Sequence, residues 1–212
     1  RGSQHLDTLA KLGDAFEIVA IAEHDIARSD VVRVNYEIPV YTNPEKMFDE
    51  LNIDVVDIVV PPDGHLALTA LAASRGVHVL VETPIAPTLP QADAMIDVCS
   101  ASGVRLEISE NVWRFPHELL KNMAIEAGWI GDLINVQMFY RSGSYHGMSV
   151  LRRCFGASPV RVLGHAKALK LRSDFDPQSF VEAVVPSNVW EVGVFDFPAG
   201  ATAVYQFPAR SE

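Results

Sequence analysis

Cysteine, positive charge and long apolar runs are all scarce in this chain. Of its 212 residues, 2 are cysteines, and Cys99 and Cys154 lie far apart with no metal-ligand spacing around either. That leaves no basis for a disulfide framework or a bound metal and implies reduced, structural thiols. Lys and Arg number 17 against 27 Asp and Glu, a formal charge of −10. Nucleic-acid phosphates demand a basic surface, so nucleic acid is excluded as a partner. No apolar stretch reaches the roughly 20 residues of a membrane-spanning helix. The expectation is a soluble, cytoplasmic protein with no membrane partner.

What the chain does have is enough apolar residue, 49%, to fill two modest cores. The run Gly76-Val-His-Val-Leu-Val-Glu-Thr-Pro84 holds Val77, Val79, Leu80 and Val81 nearly without interruption. Such a β-branched run suits a parallel strand covered on both faces, and Pro84 stops it. Asp57 to Val60 reads as a second strand. Pro61-Pro62-Asp63-Gly64 turns it into a helix from His65 to Ser74, with Leu68, Leu71 and Ala72 on one face.

The same alternation extends both ways. Glu17 to Ala22 is an earlier strand and Arg105 to Ser109 a later one. Asn43 before Pro44 starts one helix, and Thr88 with Pro90 and Gln91 predicts a capping box for another, Gln91 to Ser102. This spacing predicts a doubly wound parallel α/β sheet. After about Asp132 the pattern becomes alternating, in Leu133 to Arg141, Val160 to Leu171, Val189 to Phe197 and Ala201 to Phe207, with Pro198-Ala199-Gly200 as a turn. These predict an open antiparallel or mixed sheet in a second, α+β domain. The expected division is 1–131 and 132–212.

A dinucleotide-binding unit has a strand, a turn of the form Gly-x-Gly-x-x-Gly, a helix, and an acid about 20 residues on that holds the ribose. Gly2 and Glu23 fit the last glycine and the acid. The first strand and first two glycines would precede Arg1, so the chain does not begin at a natural start on this reading, and half of the motif is present.

Taken together, Leu66-Ala-Leu-Thr-Ala-Leu-Ala-Ala, Gly76 to Ala86, Asn111-Val-Trp-Arg-Phe115 and Gly128-Trp-Ile-Gly131 resemble the glucose-fructose oxidoreductase, inositol dehydrogenase and MocA family. The resemblance covers nearly the whole chain. It implies a Rossmann domain binding NAD or NADP, then an α+β domain whose open sheet forms homo-oligomers. It also implies hydride transfer to or from a sugar, polyol or cyclic diol. By this likeness Gly2 belongs to the pyrophosphate turn and Glu23 to the adenosine ribose. Pro62 and His65 flank the nicotinamide, with Glu82 and Asn111 also on the cofactor side. Glu23 favours NAD over NADP because a carboxylate repels a 2′-phosphate, while Arg28 nearby leaves NADP open.

Two positions depart from the family pattern. Thr83 stands where a lysine is usual, and a hydroxyl cannot supply that lysine's charge. Ser142 stands where an aspartate is usual, four residues before the matching His146. His146 is then the expected acid/base, with Thr83 and Tyr145 orienting substrate. The loss of both lysine and aspartate also keeps open a cofactor-binding relative without redox turnover, such as a sensor or assembly subunit, and a nonredox lyase or hydrolase. His65 also reads as a helix-entry residue, and Arg152-Arg153 as a solvated helix face or intersubunit contact.

Overall fold

A computed structural model describes residues 1–36, 38–139, 144–168 and 189–209. They form two compact units, Arg1–Glu110 and Asn111–Glu212. The division thus falls about twenty residues before the expected 131. The helix Pro116–Glu126 packs on the Val112–Arg114 turn and on the helix Ser144–Phe155, both in the second unit.

The first unit opens with α1 (Gly2–Ala10) and β1 (Ile21–Ala22). Residues 17–20, expected in the strand, make no ladder, because the partner β2 (Val40–Tyr41) offers only two residues in parallel register. Between them lies α2 (Ile26–Asn35), capped by Asp25, whose side chain accepts from the Arg28 amide. In α3 (Pro44–Glu50) Asn43 caps as expected, its Oδ1 accepting from the Glu45 amide at 2.8 Å. β3 (Val55–Ile58), β4 (His78–Val81) and β5 (Leu106–Ile108) make a separate parallel sheet in the order β3-β4-β5.

The core of this unit lies where α4 (His65–Ala73) and α5 (Leu89–Ala101) meet that sheet. Ile58, Val79 and Val81 are buried with Ala72, Ala73, Met95 and Cys99. The small alanines of α4 let the two helices pack closely. The expected capping box at α5 does not form. Thr88 caps no amide, and its hydroxyl instead donates to the Gln91 side chain at 2.9 Å, since two side chains facing each other leave neither free for the backbone.

The second unit contains α6 (Pro116–Glu126), β6 (Asn135–Phe139), α7 (Ser144–Phe155), β7 (Arg161–Ala168), β8 (Val189–Asp196) and β9 (Thr202–Ala209). Their sheet runs β6-β9-β8-β7, parallel between β6 and β9 and antiparallel elsewhere. Strand alternation turns Phe195, Ala203 and Tyr205 toward Leu151 of α7, all buried. Gly147 allows that approach, because a Cβ there would overlap the phenol of Tyr205. The opposite face keeps Leu163, Trp190 and Val194 exposed. The tight connection from β8 to β9 places Ala199 at φ 61° and Gly200 at φ 83°.

Candidate functional site

Parallel strands β3 and β4 end side by side at Ile58 and Val81, and the chain turns sharply after each. The turn after β3 is a single 3₁₀ turn, Pro62–Gly64, that leads straight into α4. His65, fully buried, locks it, with Nδ1 3.0 Å from the Ile85 carbonyl oxygen and Nε2 3.0 Å from that of Val60. Both ring nitrogens therefore face the backbone. His65, expected in the turn beside the nicotinamide, thus uses its side chain to buttress that turn. Pro62 stands on the turn that His65 holds.

The corner after β4 is built on Glu82. Its amide donates to the Ile58 carbonyl at 2.9 Å, and its Oε1 accepts from the Thr83 amide at 2.6 Å and the Thr83 hydroxyl at 2.8 Å. The other oxygen, Oε2, lies 3.3 Å from His5 Nε2 and 3.9 Å from Arg1 Nε. Burial works to raise this carboxyl's pKa, but the two hydrogen bonds from Thr83, with Arg1 and His5, outweigh it and hold it below the ordinary 4.5. Glu82 is a charged carboxylate in a half-enclosed site.

Arg1 and His5 come from the start of α1, so the same corner meets that helix's first turn. Gly2 sits there, and a Cβ on it would meet nothing within 4 Å. No packing contact among the described residues calls for the glycine, and the amides of a helix N-terminus beside it are a natural seat for an anion. Gly2, Pro62, Glu82 and Thr83 gather around the carboxyl ends of β3 and β4, with His65 beneath. In the same unit Glu23 follows β1. Its Oε1 accepts from the Asp25 amide at 2.9 Å, and Oε2 is left with no hydrogen-bond partner among the described residues.

In the second unit His146 lies in the first turn of α7, buried, with its ring centroid 4.3 Å from that of Tyr145, which is 40% exposed. Asn111 is exposed and begins the 3₁₀ turn Val112–Arg114, accepting from the Arg114 amide through its own carbonyl at 3.0 Å. Ser142 lies outside the described residues. So do residues 140, 141 and 169–171 at the ends of the expected strands.

A family model described as "Oxidoreductase family, NAD-binding Rossmann fold" (GFO_IDH_MocA) matches residues 1–110. The chain belongs to this family. Inositol 2-dehydrogenase 1 of Saccharopolyspora erythraea is 25% identical over 232 residues, spanning 100% of this chain and 67% of that protein. D-apiose dehydrogenase of Paraburkholderia graminis is 32% identical over 130 residues, 61% of this chain and 35% of its own length. The chain spans about two fifths of the length of other curated oxidoreductases it matches. The crystal structure of the WlbA dehydrogenase from Bordetella pertussis, in complex with NADH and UDP-GlcNAcA, superposes with a TM-score of 0.80 at 18% identity, covering 99% of this chain and 68% of that one. At that identity the likeness is one of fold. It agrees with the parallel Rossmann sheet followed by a mixed sheet.

Within this Gfo/Idh/MocA fold, two residues of the strand-end cluster escaped the sequence reading. His5 Nδ1 is 2.8 Å from Asp57 Oδ2. The signal for Asp57 was a carboxylate in the middle of the apolar strand Val55-Val-Asp-Ile. For His5 it was a spacing of one helical turn from Arg1. Among the described residues no group of three or more His, Cys, Asp or Glu side chains could hold a metal, and no helix is long and apolar enough to cross a membrane.

Proposed function

We propose that this chain acts in an NAD(P)-dependent oxidoreductase that moves a hydride between a nicotinamide cofactor and a sugar, polyol or cyclic diol. The observation that carries this reading is the convergence of the first turn of α1, the Pro62 turn and the Glu82–Thr83 corner at the carboxyl ends of β3 and β4. Parallel α/β sheets bind nucleotides at that edge. Relatives named D-apiose dehydrogenase and inositol 2-dehydrogenase support the substrate class.

The residues fit a dinucleotide. The open space at Gly2 admits a pyrophosphate to the helix amides, and Glu23 Oε2 is available to accept ribose hydroxyls through charge-assisted hydrogen bonds. NAD is favoured over NADP. Glu23 repels a 2′-phosphate, and Arg28, which would attract one, lies with Nε 3.8 Å from Asp25 Oδ2. Asn111 remains on the cofactor side by resemblance alone. The bound cofactor supplies the hydride chemistry, so the protein's tasks are alignment and proton handling.

His146 performs the proton step, taking the substrate hydroxyl's proton at a ring nitrogen in the oxidative direction and returning it in the reverse. Tyr145 hydrogen-bonds a second substrate hydroxyl. Thr83 gives its own proton to Glu82, so it can only accept from substrate. The test is to mix the full-length protein with NAD and a panel of aldoses, polyols and cyclic diols and to follow nicotinamide absorbance. Turnover is expected, and His146→Ala should lower kcat by ~10²–10⁴-fold while NADH affinity is kept. Tight cofactor binding with no absorbance change for any substrate would overturn the redox reading.

The open face of the β6-β9-β8-β7 sheet is proposed to receive a second copy of the chain. Leu163, Trp190 and Val194 are exposed on it, the Phe139 and Trp190 rings lie 6.3 Å apart, and the Arg161–Asp196 ion pair sits at one end. A two-fold-related copy would bring like apolar centres together and opposite charges into register.

A further inference from the structure

The hydride-transfer reading gives no task to His5 or Asp57, yet both lie in its strand-end cluster. Three separate elements meet at the His5 ring: α1, which carries it; β3, through Asp57 Oδ2 at 2.8 Å from Nδ1; and the corner after β4, through Glu82 Oε2 at 3.3 Å from Nε2. The three side chains are 20%, 18% and 11% exposed. Asp57 Oδ1 is buried with no hydrogen-bond partner among the described residues. An acid half shut off from water is costly to keep unless its other oxygen is firmly held. The guanidinium facing the cluster, that of Arg1, stands 3.9 Å from Glu82 and is 64% exposed, so water screens it. Solvent-screened charge does not fix geometry; a short planar ring between two carboxylates does.

We propose that His5 is a positioning residue of the cofactor site, a strut that sets the spacing of Glu82 from Asp57 and so keeps the Glu82–Thr83 corner against the first turn of α1. The two nitrogens of an imidazole point in fixed, divergent directions, and each meets one carboxylate. Asp57 anchors the strut to the rigid sheet, and Glu82 is the group held. The Gly2 turn and the Glu82–Thr83 corner then move as one piece. The inference rests on the reading of Gly2 and Glu82 as cofactor contacts, and its test separates the two claims.

His5→Asn keeps a donor at the Nδ1 position toward Asp57, His5→Gln keeps one at the Nε2 position toward Glu82, and His5→Ala keeps neither. The first readout needs no cofactor: amide hydrogen exchange at Thr83, whose N–H donates to Glu82 Oε1. Exchange should quicken by about tenfold in all three, because a strut severed at either end no longer fixes Glu82 against Asp57. The second readout is NAD titration, where Kd should rise by about tenfold in His5→Ala and to a similar extent in His5→Asn and His5→Gln. Unchanged Thr83 exchange in a folded His5→Ala overturns the strut. If His5→Ala does not fold, exchange within about threefold of the parent in His5→Gln, which keeps the Glu82 contact without the Asp57 anchor, overturns it as well. Faster exchange with an unchanged Kd would leave the strut standing and overturn its service to the cofactor.

Discussion

Thr83 and Glu82 show how one substitution changes the chemistry of a corner. A lysine at position 83 would place an ammonium near a substrate. The threonine turns back and gives both its amide and hydroxyl protons to Glu82, so the charge in this corner belongs to the acid. Because the folded protein holds Glu82 below the ordinary 4.5, the unfolded chain takes up the proton first. The stabilisation is present above about pH 4.5 and is lost as pH falls through the depressed value. Glu82→Gln should therefore be less stable than the parent near pH 7, with the gap closing in acid. Thermal melts between about pH 7 and pH 3 read this directly, and a constant gap would show that the charge is not what its neighbours stabilise. In the second unit, Gly147→Ala should cost about 1–3 kcal/mol, because the added methyl meets the buried Tyr205 ring with no room to shift. Denaturant unfolding measures it.

At the level of elements, the sequence was most readable where apolar, β-branched residues run together. The runs around Val56 and Val79 became β3 and β4 within two residues, although burial there falls chiefly on the face of Ile58, Val79 and Val81 and leaves Val55 exposed. It was least readable between residues 23 and 42, where α2 and β2 went unnoticed. α2 buries only Ser29 and β2 has two residues, so neither leaves a hydrophobic period. The site divides in the same way. Gly2 and Glu23 follow from glycine and acid spacing along the chain, and Glu82 from the family resemblance. The His5–Asp57–Glu82 cluster joins residues brought together only when β3 and β4 lie side by side, which no local pattern encodes. Caps offer a direct comparison. Asn43 bonds a helix amide and Thr88 bonds only a side chain, so Asn43→Ala should lower stability by about 1 kcal/mol and Thr88→Ala by clearly less. Equal losses in urea titrations would mean that the Thr88–Gln91 pair serves α5 as well as a true cap.

For the whole molecule, the open sheet face is the proposed surface of association. Leu163 and Val194 are neighbours across β7 and β8, and both are exposed. A charge on each sets like against like across a two-fold axis. On that proposal, the parent sediments as an oligomer and Leu163→Glu with Val194→Glu should sediment as a single chain, with the far-ultraviolet dichroism unchanged. An unaltered sedimentation coefficient would place the contact on another surface.

The parallel strands of the first unit form two sheets instead of one, and among the described residues no backbone hydrogen bond reaches the outer edge of β3. An extended segment laid along Val55 to Ile58 in parallel register would pair with the amides and carbonyls there and widen the β3-β4-β5 sheet by a strand, so the edge is a slot for one more strand of the sheet's own kind.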